Sequence, residues 1–182
     1  MKPALIFIIS TIAQLYLLVM LLRFWLPWVQ ADFRNPIAQG ILRLTSPLVI
    51  PVRRVIPPIG RLDTATVIVA FALQYLTILV ILAISGVAPS ILPVALTSVV
   101  DLVLLSLRLF TFAIFIHIIL SWIAPGTYNP ATAFISMLVT PVLRPFRNLI
   151  PAIGGLDISP IFAIIFLQAA AIFIATLKPI PI

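Results

Sequence analysis

Few side chains in this sequence could act as catalytic groups or metal ligands. The chain has no cysteine, four aspartates, no glutamate and one histidine, His117. Disulfides, thiolate metal sites and cysteine nucleophiles are therefore excluded. Ser121 follows His117 by one helical turn, but the sequence places no carboxylate or oxyanion-binding group beside them, and one histidine cannot complete a haem or metal site without a second subunit. We expect a protein that is not an enzyme and binds no cofactor.

The most specific pattern is an element that occurs twice. Residues 51–63 read PVRRVIPPIGRLD and residues 145–157 read PFRNLIPAIGGLD, with proline, arginine, isoleucine, glycine, leucine and aspartate at the same spacing. Proline and glycine predict a tight turn. The final aspartate is expected to cap a helix, because its carboxylate can accept from free N–H groups at a helix start. The pattern is carried by Arg53, Pro57, Gly60, Asp63, Arg147, Pro151, Gly154 and Asp157.

The arginine of each element precedes its aspartate by ten residues, which allows two kinds of ion pair. Arg53 could face Asp157 while Arg147 faces Asp63, and this crossed arrangement, which we predict, would clasp the two elements together. The alternative joins Arg53 to Asp63 and Arg147 to Asp157 around each turn. A plainer interpretation is a hairpin brace whose arginines anchor to headgroups, and a sharper one is a docking surface for another protein or a lipid headgroup.

Seven polar side chains interrupt the apolar segments, where such groups are costly and therefore informative. We expect them to form interhelical hydrogen bonds that fix a helix bundle. A small-ion pathway is the second hypothesis, although the polar groups are few for a continuous wet path. Arg23 is expected to snorkel to the interface, and Arg108 to pair with Asp101 two turns away. The seven are Gln14, Arg23, Gln74, Asp101, Arg108, His117 and Gln168.

The composition predicts that a membrane positions these residues. Of the 182 residues, 63% are apolar and 8% charged, and the mean hydropathy is +1.31, far above that of water-soluble domains. Four apolar stretches meet the length of about 20 residues that crosses a bilayer. We predict spans at about 4–29, 64–86, 97–124 and 158–177. The first is too long for a signal peptide and carries Arg23, so we interpret it as a retained span.

The basic residues predict the orientation of these spans. The net charge is +7, and most arginines lie in the segments after the first and third spans, whereas Lys2 and Lys178 flank the other side. Both segments should therefore face the cytoplasm and both termini the outside of a bacterial inner membrane. Anionic lipid headgroups are the expected partners of these arginines. Nucleic acid is not expected, because no basic run is interleaved with base-stacking aromatic residues.

The repeat extends beyond the element itself. A shift of 94 residues places Trp28 on Trp122 and Gln74 on Gln168 without a gap. This indicates a tandem duplication, with one repeat at 1–90 and the other at 91–182. Both repeats enter the membrane from the same side, so they are parallel.

The segment between the spans of each repeat has the pattern of a short helix. Asn35-Pro36 and Asn129-Pro130 predict its start, because asparagine is a good N-cap and proline suits the first turn. Ser46-Pro47 and Thr140-Pro141 predict its end, and another short helical piece could start there, because proline fits the first position of a helix. The predicted fold is an all-α membrane protein of four transmembrane helices from two parallel tandem repeats, each with a cytoplasmic interfacial or re-entrant helical loop.

At these positions the sequence resembles the YggT/YlmG family of small bacterial and plastid membrane proteins. The resemblance covers nearly the whole chain, and the doubled P-x-R-x-x-I-P-x-x-G-x-x-D pattern is specific because it is long and mixes residue types. It implies an integral membrane location and non-enzymatic roles. Bacterial members are associated with osmotic or extracytoplasmic stress and with cell-division gene neighbourhoods, and plastid members with thylakoid cytochrome maturation and nucleoid distribution.

The residues and the resemblance together predict a non-catalytic accessory factor that supports assembly or maintenance of another membrane complex under envelope stress. The alternative is a small-ion pathway or channel regulator that uses the seven intramembrane polar residues. A membrane protein is the expected partner. Its identity stays open, as does the question of whether the chain forms a homo-oligomer.

Overall fold

The computed structural model describes residues 1–88, 90–123, 129–150 and 157–180. The regular structure of these residues consists of six α-helices, which confirms the predicted all-α class. They are α1 (Lys2–Trp25), α2 (Pro36–Val55), α3 (Thr64–Ser85), α4 (Ile91–Ile123), α5 (Pro130–Leu149) and α6 (Ser159–Ala175).

Three of the helices, α1, α3 and α4, are long and apolar enough to cross a membrane. The fourth predicted span corresponds to α6, which is apolar but has 17 residues and a length of about 25 Å, against a hydrocarbon core of about 30 Å. By contrast, α4 has 33 residues and begins at Ile91, six residues before the predicted span. The described part of the chain therefore contains three membrane-capable helices and one shorter apolar helix.

The helices α2 and α5 begin at the predicted asparagine caps. Asn35 Oδ1 accepts from the N–H of Ile37 at 2.8 Å. Asn129 Oδ1 accepts from the N–H groups of Ala131 and Thr132 at 2.8 and 2.9 Å, and Thr132 Oγ1 accepts from the Asn129 N–H, which completes a capping box. Local side-chain chemistry therefore sets where both helices start.

The predicted ends of these two helices are wrong. The helix α2 continues through Pro47 and Pro51, and α5 continues through Pro141 and Pro145. A proline removes one backbone hydrogen bond, but burial of an apolar face on both sides of it outweighs that loss. In α2 this face consists of Ala38, Ile41 and Val49, with the buried polar residue Thr45 among them.

The six helices pack as two halves, α1–α3 and α4–α6. In the first half α1 packs on α3, with α2 against both; in the second α4 packs on α6, with α5 against both. Contacts of α3 with α4 and of α2 with α5 join the halves. We call the end at which α2 and α5 lie the basic end, because Arg53 and Arg147 occupy the last turns of these helices. The opposite end, where α1 begins and α6 ends, is the terminal end.

Candidate functional sites at the basic end and within the bundle

Asp63 caps α3, as the sequence predicts. Its Oδ2 accepts from Thr66 Oγ1 at 2.7 Å and its Oδ1 from the Thr66 N–H at 3.4 Å. The turn before it is held by Gly60, whose φ of +60° suits a residue without a Cβ, and by reciprocal backbone hydrogen bonds of 3.0 Å between Ile59 and Leu62. Thr64 Oγ1 also donates to the carbonyl of Pro57 at 2.7 Å. The first element is therefore a fixed turn that presents one carboxylate.

Two arginines meet this carboxylate. Arg53 Nη2 donates to Asp63 Oδ2, and Arg23 Nε lies 3.6 Å from the same oxygen. Arg23 Nη1 also donates to Thr45 Oγ1 at 2.8 Å. The predicted snorkelling of Arg23 is wrong, because the residue is 4% exposed and enclosed by its own chain. Arg23 therefore links α1 to α2 and to the start of α3.

The second element has the same arginine–aspartate pair, but among the described residues no second arginine lies within ion-pair distance of its aspartate. Arg147 Nε lies 2.8 Å from Asp157 Oδ2, and the Ser159 N–H donates to Asp157 Oδ1 at 3.0 Å. Both side chains of the pair are 40% exposed, whereas that of Asp63 is 7% exposed. Pro151 and Gly154, which carry the predicted second turn, lie outside the described residues. The aspartate of the first element is therefore buried, whereas the aspartate of the second lies at the surface.

The pairing within each element decides between the two arrangements that the sequence allows. Arg53 pairs with Asp63 and Arg147 with Asp157, so the crossed clasp is wrong and the local alternative is confirmed. A different contact bridges the halves at this end, where Asn35 Nδ2 donates to the carbonyl of Pro130 at 2.8 Å. In both elements the arginine pairs with the aspartate ten residues later in the chain.

Both carboxylates are held in their charged form. Burial would raise the pKa of Asp63, but the Thr66 hydroxyl and the nearby charge of Arg53 outweigh it and keep the pKa below the usual 3.8. Burial acts in the same upward direction on Asp157, and hydrogen bonds from Ser159 and Arg147 again lower its pKa below 3.8. The carboxyl groups of Asp63 and Asp157 are therefore ionised at neutral pH.

The polar residues that the sequence places within the apolar segments separate into distinct groups. Gln74 Nε2 donates to Asp101 Oδ2 at 2.9 Å, and Lys178 Nζ lies 2.9 Å from Asp101 Oδ1. The predicted pair of Arg108 with Asp101 is wrong, because Lys178, just beyond α6, occupies the carboxylate instead. Gln14 and Arg108 line a cavity of about 250 Å³ next to this pair.

The other predicted polar residues lie elsewhere. Arg23 belongs to the Asp63 site at the basic end. His117 Nδ1 lies 3.5 Å from Ser136 Oγ, which joins α4 to α5. Gln168 is exposed on α6. Within the described ranges, no group of three His, Asp or Glu side chains could hold a metal ion.

Sequence reasoning missed three contributors to these sites. Thr66 completes the Asp63 cap, and the hydroxyl residue three positions after an aspartate is a local signal that could have revealed it. Thr45, a partner of Arg23, and Lys178, a partner of Asp101, come from distant parts of the chain. Their spacing along the sequence carries no signal of these contacts.

Comparison with known proteins gives a consistent result. The family model described as CCB3/YggT matches residues 3–84 and again residues 96–177. An uncharacterized protein of Pseudomonas aeruginosa, PA0392, is 44% identical over 170 residues, which cover 92% of this chain and 86% of that protein. The uncharacterized protein YggT of Escherichia coli K12 is 35% identical over 162 residues, which cover 88% of this chain and 84% of YggT. No solved structure matches significantly.

Proposed function

From the premise that this chain belongs to the CCB3/YggT family, we propose that it is a non-catalytic, multi-pass accessory factor of the bacterial inner membrane. In this role it supports assembly or maintenance of another membrane complex during osmotic or extracytoplasmic stress. The stress role comes from the family resemblance. The docking surface is proposed from the geometry of the basic end.

The observation that carries the proposal is the difference in burial between the aspartates of the two elements. In the first, Asp63 is enclosed by Arg23, Arg53 and Thr66, so this element holds helices together. In the second, Arg147 and Asp157 are both substantially exposed. An exposed ion pair adds little to stability, typically 0 to about 1 kcal/mol. The second element is therefore free to contact a partner without loss of the fold.

Apolar side chains next to both elements fit the same role. Leu149, the last residue of α5, is 79% exposed, and Val55, the last residue of α2, is 80% exposed. Each follows its arginine by two residues. An exposed aliphatic residue beside an arginine suits a protein interface, in which apolar contacts supply affinity and charges supply orientation. We propose that a membrane-protein partner docks at Leu149, Arg147 and Asp157.

The proposal includes four membrane crossings in two parallel repeats, with both loop helices in the cytoplasm and both termini outside. Three observations support this arrangement: α2 and α5 each have 20 residues, both elements contain the same arginine–aspartate pair, and the family model matches twice. In it, α6 is the fourth crossing, and anionic headgroups meet the arginines that face water at the basic end.

In-cell photo-crosslinking tests the docking surface. A photoreactive residue at Leu149 should give a reproducible adduct with one membrane protein, and Arg147→Gln should reduce its yield. The matched control places the probe at Ile172, which is 70% exposed on α6 and far from the element. A second copy of this chain in the adduct would show a homo-oligomer and not an accessory factor. The same pattern of adducts from both positions would contradict the proposal.

An ion pathway is the second candidate, and the polar cavity beside Asp101 favours it. Arg23 and His117 do not line this cavity. The apolar side chains of Leu17, Met20 and Val69 are buried nearer the basic end of α1 and α3, and an ion pathway would have to pass them. Purified protein in liposomes should then dissipate an ion gradient, and Gln74→Leu should change the flux. Absence of flux favours the accessory role.

A further inference from the structure

Arg108 is a charged residue in the middle of an apolar helix. It lies 11 residues after the start of the predicted span at about 97–124 and 16 before its end, so the nearer boundary is about 16 Å away at 1.5 Å per residue. That distance exceeds the reach of an arginine side chain that snorkels. The residue is exposed, and none of the described residues forms an ion pair or hydrogen bond with it. A charge at such a position requires a counter-charge.

The chain has no acidic side chain left to supply this counter-charge. Of its four aspartates, Asp63 and Asp157 pair with arginines at the basic end, and Asp101 is held by Lys178 and Gln74. Asp32 precedes α2 at the basic end and accepts from the Arg34 N–H. A second copy inserted in the same direction would offer only the same four groups at the same depths. None of the four aspartates therefore supplies the counter-charge, and an anion from another molecule can supply it.

A polar cavity offers the space for such an anion. Its volume is about 250 Å³, far more than the roughly 10–15 Å³ that one water needs. Arg108 lines it from α4 and Gln14 from α1, and neither side chain has a hydrogen-bond partner among the described residues. Ser10 and Thr77, which also line it, donate to backbone carbonyls of their own helices. Arg108 and Gln14 are therefore donors in the lining that have no partner among the described residues.

We propose that Arg108 and Gln14 bind one phosphate group in this cavity. The guanidinium presents a planar fork of N–H donors that matches a tetrahedral oxyanion bidentately, and the Gln14 amide adds a further donor. The Asp101–Lys178 pair is neutral as a unit, so the cavity keeps the positive charge of Arg108. Ile6, Ser10 and Lys178, which also line the cavity, lie towards the terminal end, so the ligand enters from that side. It is a free phosphate or the phosphate of an anionic phospholipid in that leaflet.

This site is independent of the docking surface at the basic end, because it uses different residues, from the middle of α1 and α4. The sequence also suggests a suitable substitution for Arg108, because the equivalent position in the first half is Gln14. Gln14 and Arg108 are 94 positions apart, the same spacing as Asp63 and Asp157. Arg108→Gln therefore gives both halves the same residue and removes an unpaired charge, which favours an intact fold.

Two binding measurements on the purified full-length protein test the site. Delipidated protein is titrated with radiolabelled inorganic phosphate, and retention of phosphatidylglycerol against phosphatidylcholine is counted by native mass spectrometry. Binding of inorganic phosphate identifies a free oxyanion as a ligand, whereas retention of phosphatidylglycerol alone identifies a lipid phosphate. Arg108→Gln should lower the affinity for whichever probe binds at least about tenfold, because a hydrogen bond to a charged group is lost. Arg108→Lys should weaken it less.

The control is Arg144→Gln, which removes the same charge from an exposed position on α5 and should leave binding within about twofold of the parent. Circular dichroism and the Tm report whether each variant is folded. If Arg108→Gln fails to fold, the same comparison is made with Arg108→Lys, whose predicted loss is at least about threefold. The proposal is overturned if the parent binds neither probe, or if the folded Arg108 variant loses less than its predicted factor.

Discussion

The Nε atom of Arg23 lies 3.6 Å from Oδ2 of Asp63, which also accepts from Arg53. This contact ties the end of α1 to the start of α3 and gives the first element a structural role. In the second half, His117 occupies the position 94 residues after Arg23 and contacts Ser136. Asp157 therefore keeps a single arginine partner at the surface. The two elements therefore differ in the burial of their aspartates and in the number of arginines that contact them.

Removal of the two carboxylates should have unequal effects on stability. Asp63→Asn leaves the buried Arg23 without its carboxylate and should cost about 3–5 kcal/mol. Asp157→Asn breaks an exposed pair and should cost at most about 1 kcal/mol. Unfolding of both variants in the same detergent gives the comparison. Equal losses would mean that Arg23 does not add to the first element.

Exchange of the charges should show that the pairs are local. Arg147→Asp should be partly rescued by Asp157→Arg, with a coupling free energy of up to about 1 kcal/mol. The rescue is partial because arginine cannot accept from the Ser159 N–H as Asp157 does. Arg147→Asp combined with Asp63→Arg should show no rescue. A double-mutant cycle measured by thermal unfolding separates the outcomes, and rescue by Asp63→Arg alone would restore the crossed clasp.

The first element should also make stability depend on pH. The folded pKa of Asp63 is lowered below 3.8, so its contribution is complete above about pH 5 and is lost as the pH falls through the folded pKa. The parent protein should therefore lose stability below about pH 4, and Asp63→Asn should lose less. Denaturation curves between pH 3 and 6 measure this, and Asp157→Asn should also reduce the pH dependence, because the pKa of Asp157 is lowered as well. An unchanged slope in Asp63→Asn would show that the depressed pKa does not contribute.

Single cysteines can test the orientation cleanly, because the chain has none of its own. Ile59 lies in the turn of the first element and Val87 follows α3 at the terminal end, and both are well exposed. In intact spheroplasts, a membrane-impermeant maleimide should label Val87→Cys and should label Ile59→Cys only after lysis. Pro89, the sequence-based choice for an external reporter, lies outside the described residues. The reverse labelling would invert the proposed topology.

Much of this architecture can be predicted from the chemistry of neighbouring residues. The remaining parts cannot be predicted in this way, because contacts between distant residues determine them. The Asn35 and Asn129 caps and the Asp63 cap follow from neighbouring residues, and the structure confirms them. The continuation of α2 through Pro47 does not follow from neighbouring residues, because burial against α1 and α3 determines it. Lys178 reaches Asp101 from far along the chain, and the local spacing of Asp101 and Arg108 predicts a different pair.

The abundance of the partner complex tests the proposed function most directly. The protein crosslinked at Leu149 identifies the complex, whose assembled amount is then measured by native gel in cells that lack this chain. The amount should fall under osmotic stress and recover with the parent protein or with Arg144→Gln. It should not recover with Arg147→Gln, although this variant should insert at the normal level because its ion pair is exposed. An unchanged amount of complex without the chain, or full recovery with Arg147→Gln, would contradict the account.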